Sequence, residues 1–265
     1  MPAPNLLHLW DDSFLYITPA IQSGLTARSS ATLLASASGR PFTLVALDGT
    51  VLRCTAAFVA PHVPRRLDAD GCGLLSLNID PASPVYRDLA VWLGAAQMRP
   101  IDARCFGRLR AQFEGALSGE LDDAQLRDLT QAMVRAACGQ AAVPAPIDHR
   151  VERVLALLRG AAGQGQVPLR QLAGAACLSP DRLTHLFREQ TGLSIKRYLL
   201  WAKIRRTVRL LGSGRPLTEI ALAGGFTDAA HMSRTFQRYF GLPPSFLADR
   251  QRVAVAADAG AIETW

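Results

Sequence analysis

The chain has few cysteines, and their spacing is unlike that of a disulfide framework or a zinc site. They are Cys54, Cys72, Cys105, Cys138 and Cys177. Their number is odd, they lie far apart, and no two form a Cys-x-x-Cys pair. Such cysteines are typical of proteins that work in a reducing compartment. We therefore expect neither disulfides nor a structural zinc, and we predict a cytoplasmic protein.

Long uncharged apolar runs are also missing. A membrane helix needs about 20 consecutive apolar residues, and the sequence has no such run. The first four residues, Met1-Pro-Ala-Pro, lack the basic region followed by an apolar core that a signal peptide requires. The sequence therefore predicts no membrane partner and no export.

Charge is distributed unevenly along the chain. Residues 148–252 carry 17 Lys and Arg against 7 Asp and Glu, a net charge of +10. Residues 1–147 carry 12 against 13, a net charge of −1. A basic half joined to a near-neutral half indicates a polyanionic partner for the basic half.

The basic half contains a duplicated pattern. The run from Ser179 to Phe187 aligns with the run from Asp228 to Phe236, at an offset of 49 residues. Ahead of these runs, Leu172-Ala173 aligns with Ile220-Ala221 at an offset of 48. A repeated unit of helix, tight turn and helix is typical of a protein that reads two segments of DNA.

Each copy has the residue types that a helix-turn-helix needs. Ser179 and Asp228 are good N-caps, and Pro180 suits a first helical turn. Gly192 and Gly241 follow the helices, as expected for residues that adopt positive φ. The apolar positions of each helix share one face. The opposite, polar face comprises Asp181, Arg182, Thr184, His185 and Arg188 in the first copy and Ala230, His231, Ser233, Arg234 and Gln237 in the second.

With these motifs, residues 148–252 resemble the DNA-binding domain of AraC/XylS-type bacterial transcription regulators. The pieces that carry the resemblance are Leu172-Ala173, Ser179 with Leu183 and Phe187, Thr191-Gly192, Tyr198-Leu199, Leu210-Leu211, Glu219-Ile220-Ala221, Gly225-Phe226, Phe236 and the run from Phe240 to Ser245. Lys203 and Thr207 stand where the family usually has Arg and Ala, and Arg250 falls a few residues later than its usual closing Arg. These departures affect details of how the helices pack and not the resemblance itself.

The resemblance implies which side chains meet DNA. Base contacts are expected from Asp181, Arg182, Thr184 and His185 in the first module and from Ala230, His231, Ser233 and Arg234 in the second. Phosphate contacts are expected from Arg182, Lys196, Arg205, Arg209 and Arg238, with solvated surface charge as the alternative for each. Arg234 can bond guanine O6 and N7 bidentately. Asp181 either accepts from cytosine N4 or only favours the helix N-terminus electrostatically.

The resemblance also implies a helix from about Ile195 to Leu211 between the modules. At about 1.5 Å per residue it spans roughly 25 Å, which suits two reading helices in adjacent major grooves.

The N-terminal half has a different pattern. Short apolar runs alternate with turn residues over 14–80, and Asp48-Gly49 is a hairpin signal. This pattern predicts a small barrel or sandwich. It is similar to the cupin-like sensor domain of the same family, in which His62, Arg65 and Arg66 would line the mouth of a ligand pocket. Turn residues that face water are the alternative.

Histidine is scarce in this half, which weakens an enzymatic interpretation. A metal-dependent cupin needs two or three His and a carboxylate around one ion. Only His8 and His62 are present, more than fifty residues apart. We therefore predict no metal, no cofactor, no catalytic residue and no enzymatic activity.

After Pro81 the pattern becomes helical. Amphipathic spacing covers 85–93, 101–117 and 124–138. Two antiparallel helices in this place are the family's usual dimerisation device, and coverage of the barrel within one subunit is the alternative. The segment from Gly139 to Pro146 has the composition of a linker.

The sequence thus predicts an α+β two-domain protein, with a small cupin-like β-barrel plus helices and then an all-α double helix-turn-helix. The predicted divisions are a sensor and dimerisation domain (1–138), a linker (139–147), the DNA-binding domain (148–252) and a tail (253–265), which is either loose or a short docking strand. The predicted function is effector-responsive, sequence-specific regulation of transcription by a homodimer on double-stranded DNA. The resemblance favours an activator that contacts RNA polymerase, and repression is equally compatible with these residues. The rivals are a cupin-type metal enzyme that docks on nucleic acid and a ligand-independent dimeric regulator.

Overall fold

The N-terminal half is built from short strands, as the sequence predicts. The computed structural model describes residues 5–10, 12–80, 83, 86, 89, 92–94, 96–139, 147–160, 167–191, 193–240, 242–249 and 251–257. Its strands are β1 (Asn5–Leu9), β2 (Ser13–Thr18), β3 (Ile21–Thr26), β4 (Ala31–Ser36), β5 (Phe42–Ala46), β6 (Val51–Cys54), β7 (Ala56–Val59), β8 (Arg65–Ala69), β9 (Leu74–Ile79), β10 (Met98–Pro100) and β11 (Val253–Ala257).

These strands form two sheets. The first has the order β10-β7-β4-β9-β2-β1-β11, and the second has the order β3-β8-β5-β6. The predicted hairpin at Asp48-Gly49 joins β5 and β6: Gly49 has φ 86°, and the Asp48 carboxylate accepts from the Thr50 N–H at 2.9 Å. The pattern of short strands and turn residues therefore placed this hairpin correctly.

Two helices cover one face of the first sheet. A 3-10 helix over Ala103–Leu109 leads into α1 (Arg110–Ser118), and α2 (Asp123–Cys138) follows. The segment predicted as one helix over 101–117 is thus divided, because Asp102 caps a tighter first turn by accepting from the Arg104 N–H. Of the segment predicted over 85–93, the structure describes only residues 86, 89, 92 and 93, which are helical.

The apolar faces of α1 and α2 pack on the chain's own sheet. Phe113 and Met133 lie in one core with Leu33 and Leu77 of the central strands. These apolar faces therefore cover the sheet within one subunit, which was the alternative to a dimer interface. Most of the predicted linker, 139–147, lies outside the described residues.

The C-terminal half is helical. Its helices are α3 (His149–Gly160), α4 (Leu169–Ala175), α5 (Pro180–Thr191), α6 (Ile195–Leu211), α7 (Leu217–Ala223), α8 (Ala229–Phe240) and α9 (Pro244–Ala248). The pairs α4–α5 and α7–α8 are the two predicted helix-turn-helix units. The linking helix α6 has the predicted bounds, and Ser194 caps it by accepting from the Arg197 N–H.

The two halves share one hydrophobic core. Leu7, Phe14 and Tyr16 from the first sheet cluster with Trp201 of the linking helix α6 and with Phe236 of the second helix-turn-helix unit. The segment after α9 returns to the first sheet as β11, which pairs in parallel with β1. Of the two alternatives for the tail, residues 253–257 thus form the docking strand.

No helix in the described part of the chain combines the length and the apolar character that crossing a membrane requires.

The N-terminal cap of α2 gives a test of this fold. Asp122 accepts from the Gln125 N–H, and the Gln125 side chain accepts from the Asp122 N–H, which completes a capping box. We expect Asp122→Ala to lower the free energy of unfolding by about 0.5–2 kcal/mol, as measured by urea denaturation. Asp128→Ala, which removes an exposed carboxylate in the middle of the same helix, is the matched control. Equal losses in the two variants would contradict the cap.

Candidate nucleic-acid interface and the cavities behind it

The first reading helix, α5, is held by its apolar face and by its N-cap. Leu183 and Phe187 are fully buried in the core of the first module. The Ser179 hydroxyl accepts from the Arg182 N–H at 3.3 Å, as predicted for an N-cap. This arrangement leaves the N-terminal turns of α5 directed away from the core.

The predicted DNA contacts of α5 are all exposed: Asp181, Arg182, Thr184, His185 and Arg188. The Thr184 hydroxyl donates to the Pro180 carbonyl at 2.8 Å. Its oxygen therefore remains available to DNA as an acceptor rather than as a donor. The face offers a carboxylate, two guanidiniums and an imidazole within two turns of one helix.

The second reading helix, α8, is built in the same way. Asp228 accepts from the His231 N–H at 2.6 Å, and this hydrogen bond lowers the pKa of its carboxyl group. Met232 and Phe236 are fully buried. The repeat in the sequence therefore corresponds to a repeated structure, with a cap and a buried face in each copy.

The outer face of α8 is less polar than that of α5. Ala230 and Arg234 are exposed, while Ser233 is half-buried. His231 is also half-buried: its Nδ1 lies 3.0 Å from the Thr227 hydroxyl, and its ring packs edge-on against Phe226. Arg234 is thus the cation that α8 presents in its first two turns.

The basic side chains that were predicted to contact phosphates differ in how exposed they are and in what they contact. Lys196 is exposed at the start of α6. Arg205 on the same helix is only 12% exposed and lies 3.3 Å from Asp80 of the N-terminal half. Arg238 is exposed on the last turn of α8, where its backbone carbonyl accepts from the Ala27 N–H. Arg205 and Arg238 therefore lie at the junction of the two halves.

The structure separates the three residues proposed for the ligand pocket. Strand β8 alternates, so that Arg65 points inward at 3% exposure and Arg66 points outward. The Arg65 guanidinium donates to the Thr32 hydroxyl at 3.1 Å. Burial lowers its pKa well below the usual value, and the positive charge of Arg28 lowers it further.

His62 lies in a strained turn at the junction. It has φ 65°, a region that non-glycine residues seldom adopt. Its buried Nε2 has no hydrogen-bond partner among the described residues. Burial lowers the pKa of His62 to about 4, and the charges of Arg197 and Arg238 act in the same direction. The imidazole is therefore neutral at pH 7.

Arg28 belongs to this site and was missed by the sequence analysis. It is 7% exposed, and its guanidinium donates to Asn78 Oδ1 at 2.7 Å and to the Tyr239 carbonyl at 3.2 Å. Asn78 Oδ1 also accepts from the Thr32 hydroxyl, which joins Arg28 to Arg65 through two side chains. The sequence contains no signal for this role, because Arg28 lies in a loop before an apolar strand.

Arg28 and Arg65 form a buried cationic pair. Within the described residues, no carboxylate lies within ion-pair distance of either guanidinium. Burial lowers the pKa of Arg28 to about 10, so that it remains charged at pH 7. A buried charge usually needs a partner of opposite sign, and the polar side chains around this pair supply only part of that stabilisation.

Two small apolar cavities lie between the first sheet and the helices of the C-terminal half. Leu7, Phe14 and Phe240 line both, Arg28 lines one and Arg205 lines the other. Each cavity is only about large enough for a single water molecule. A larger molecule could enter only if the sheet and the helices moved apart.

A metal site would require a cluster of ligating side chains. Among the residues that the structure describes, no three His, Cys, Asp or Glu side chains lie close enough together to hold a metal ion.

Comparisons with known proteins agree with this geometry. A family model described as a helix-turn-helix domain matches residues 172–250. The arabinose operon regulatory protein of Escherichia coli is 32% identical over 101 residues, which cover 38% of this chain and 35% of that protein. The Msm operon regulatory protein of Streptococcus mutans is 39% identical over 69 residues, which cover 26% and 25%. The chain thus matches about a third or less of the length of these curated relatives.

The likeness to solved structures extends over both halves. An apo variant of ToxT from Vibrio cholerae matches with a TM-score of 0.59 at 10% identity, covering 91% of this chain and 98% of that one. Wild-type ToxT with a bound unsaturated fatty acid matches with a TM-score of 0.51 at 12% identity, covering 90% and 95%. At these identities the likeness shows the fold alone. The sequence likeness to known regulators is thus confined to the helix-turn-helix region, while the fold likeness extends over both halves.

Proposed function

We propose that the protein regulates transcription by binding a specific DNA sequence with α5 and α8 in two adjacent segments of the major groove. The observation that carries this proposal is the pair of N-capped helices, each with its apolar face buried and its first turns exposed. The single helix α6 links the two units. Its length of 17 residues suits reading helices about one turn of DNA apart.

Affinity and selectivity would come from different groups. The net charge of +10 over 148–252 supplies attraction to phosphates, which is independent of sequence and weakens with salt. Selectivity would come from Asp181, Arg182, Thr184 and His185 on α5 and mainly from Arg234 on α8. Ala230 can offer only apolar contact, for example to a thymine methyl group.

The effector is proposed to bind between the two halves. The apolar cavities beside Arg28 would favour an apolar molecule, and the buried pair of Arg28 and Arg65 would favour an anionic group at its end. The fatty acid bound by a ToxT structure of the same fold has this chemistry. We therefore propose a small apolar carboxylate as the effector class. Arg66 faces outward, on the opposite side of β8 from Arg65.

The cellular location, the oligomeric state and a contact with RNA polymerase are also proposed. We propose that the protein works where bacterial DNA lies, in the cytoplasm. A homodimer and a contact with RNA polymerase are proposed by analogy with the family. The apolar faces of α1 and α2 pack inward, so that a dimer would use the exposed faces of these helices or another surface. No specific observation favours the metal-enzyme alternative, and a ligand-independent regulator is an outcome of the effector test below.

Selection from a random DNA library, with the full chain at fixed salt, tests the main proposal. We expect a motif with two conserved blocks whose centres lie about 10 base pairs apart. The selection should be repeated with a panel of apolar carboxylates, because the effector sets which state binds DNA. No enrichment above background under any of these conditions would contradict a sequence-specific regulator.

Arg234→Ala tests the role of α8. We expect the variant to lose preference at one base position and about 1–3 kcal/mol of binding free energy at the selected site, as measured by fluorescence anisotropy. Arg53→Ala removes the same charge from the exposed face of β6 and should leave the motif unchanged. An unchanged motif for Arg234→Ala would remove this residue from the reading face.

Thermal unfolding tests the effector class. A monounsaturated fatty acid, kept below its critical micelle concentration, should raise Tm, and the alcohol of the same chain should raise it less. Saturation to about 100 times Kd adds roughly 2.7 kcal/mol to the stability of the folded state. Arg28→Ala should abolish the difference between acid and alcohol, while Arg53→Ala should preserve it. Equal shifts for acid and alcohol in the unmodified protein would contradict an anionic effector, and no shift across the panel would favour the ligand-independent alternative.

A further inference from the structure

The two helix-turn-helix units have different relations to the N-terminal half. The core of the first unit is built only from helices of the C-terminal half, with Val151 of α3, Leu172 of α4 and Phe187 of α5 at its centre. The core of the second unit continues into the first sheet, where Leu7 and Phe14 complete it. The N-terminal half is therefore packed against the second unit as one body, whereas the first unit is joined to that body through α6.

Two sets of contacts hold the second unit to the N-terminal half without involving α8. Strand β11 pairs in parallel with β1, and both the backbone N–H and the side-chain amide of Asn5 donate to the Arg252 carbonyl, at 3.0 and 2.9 Å. The buried Asp80 carboxylate accepts from the Trp201 indole N–H at 2.9 Å and pairs with Arg205. These contacts fix the base of the unit and α6, but they do not touch the end of α8.

A third set of contacts reaches the reading helix itself. The last carbonyls of a helix lack partners within it. At the end of α8 the loop after β3 supplies donors: the Ala27 N–H bonds the Arg238 carbonyl at 3.2 Å, and the Arg28 guanidinium bonds the Tyr239 carbonyl at 3.2 Å. The Ser29 and Tyr239 hydroxyls are 2.7 Å apart. Residues 27–29 thus cap the C-terminal end of the second reading helix, and a cation there also favours the helix dipole.

We propose that Arg28 and Ser29 are positioning residues for DNA reading, which fix the orientation of α8 through its last turn. This inference rests on the proposed function. The N-terminal half then controls the orientation of the second reading helix, α8. The first reading helix, α5, is positioned by its own unit. The base preferences of the two halves of the motif should therefore depend on the N-terminal half to different degrees.

The same arrangement explains how an effector would act on DNA binding. Arg28 lines one of the two cavities, and its guanidinium bonds the Tyr239 carbonyl. An anion at Arg28 would compete with this carbonyl for the same N–H donors and would weaken the cap. An effector that binds the capped and uncapped states unequally shifts the population between them.

The test compares DNA selections with the full chain. Arg234→Ala and Arg182→Ala first assign each half of the motif to α8 or α5. Arg28→Ala should then reduce the base preference in the α8 half about tenfold, which corresponds to roughly 1.4 kcal/mol. The α5 half should stay within about twofold, since well-separated positions contribute almost additively. Arg28→Lys keeps a cation at the helix end and should restore part of the preference.

Two milder variants keep the test decisive if Arg28→Ala does not fold. Ser29→Ala and Tyr239→Phe each remove one hydroxyl of the 2.7 Å contact. Both should weaken the α8 half in the same direction, and the double variant should add little to either single variant. Arg53→Ala is the matched control and should leave both halves unchanged.

The outcomes separate this inference from the proposed function. A two-part motif for the unmodified chain, with loss confined to the α8 half in the cap variants, supports the inference. Equal loss in both halves, or no loss in either, overturns it, while the regulator proposal stands. Absence of any motif for the unmodified chain overturns the proposed function and the inference with it.

Discussion

The packing of one face of the N-terminal sheet against the second helix-turn-helix unit is the constraint on which the rest of the structure depends. The Phe14 ring lies 5.7 Å from the Trp201 ring and 5.6 Å from the Phe240 ring, measured between centroids. Buried aromatic contacts of this kind are strong and directional. They make the sheet part of the core that holds the second helix-turn-helix unit, so that a change in the sheet would reach α8 through direct contact.

This packing also determines which polar groups become buried. Arg28, Arg65 and Asp80 lie where the two halves meet, and each is nearly closed to water. The Asp80 carboxylate accepts from the Trp201 indole and pairs with Arg205, both on α6. Asp80 therefore has a structural role. The arginine pair is matched by neutral acceptors and backbone carbonyls. This pair therefore leaves a surplus of buried positive charge, on which the proposed effector site rests.

Much of the reading domain could be predicted from the sequence, because its signals are local. Caps such as Ser179 and Asp228 and the three-to-four spacing of apolar residues act within one helix turn, and the linking helix has the predicted bounds. The junction could not be predicted in this way. Arg28 meets Tyr239 across 211 residues, and no pattern within a window of sequence encodes that distance. Arg65 and Arg66 were both predicted at the mouth of a ligand pocket, and strand alternation places their side chains on opposite faces of β8.

The central claim is that α5 and α8 read DNA together from one side of the duplex. Hydroxyl-radical footprinting of the full chain on its selected site tests this claim most directly. The account predicts two protected tracts on the same face, about 10 base pairs apart, with the tract of α8 weakened by Arg234→Ala. A single protected tract, or protection that is the same on unrelated sequences, would contradict it.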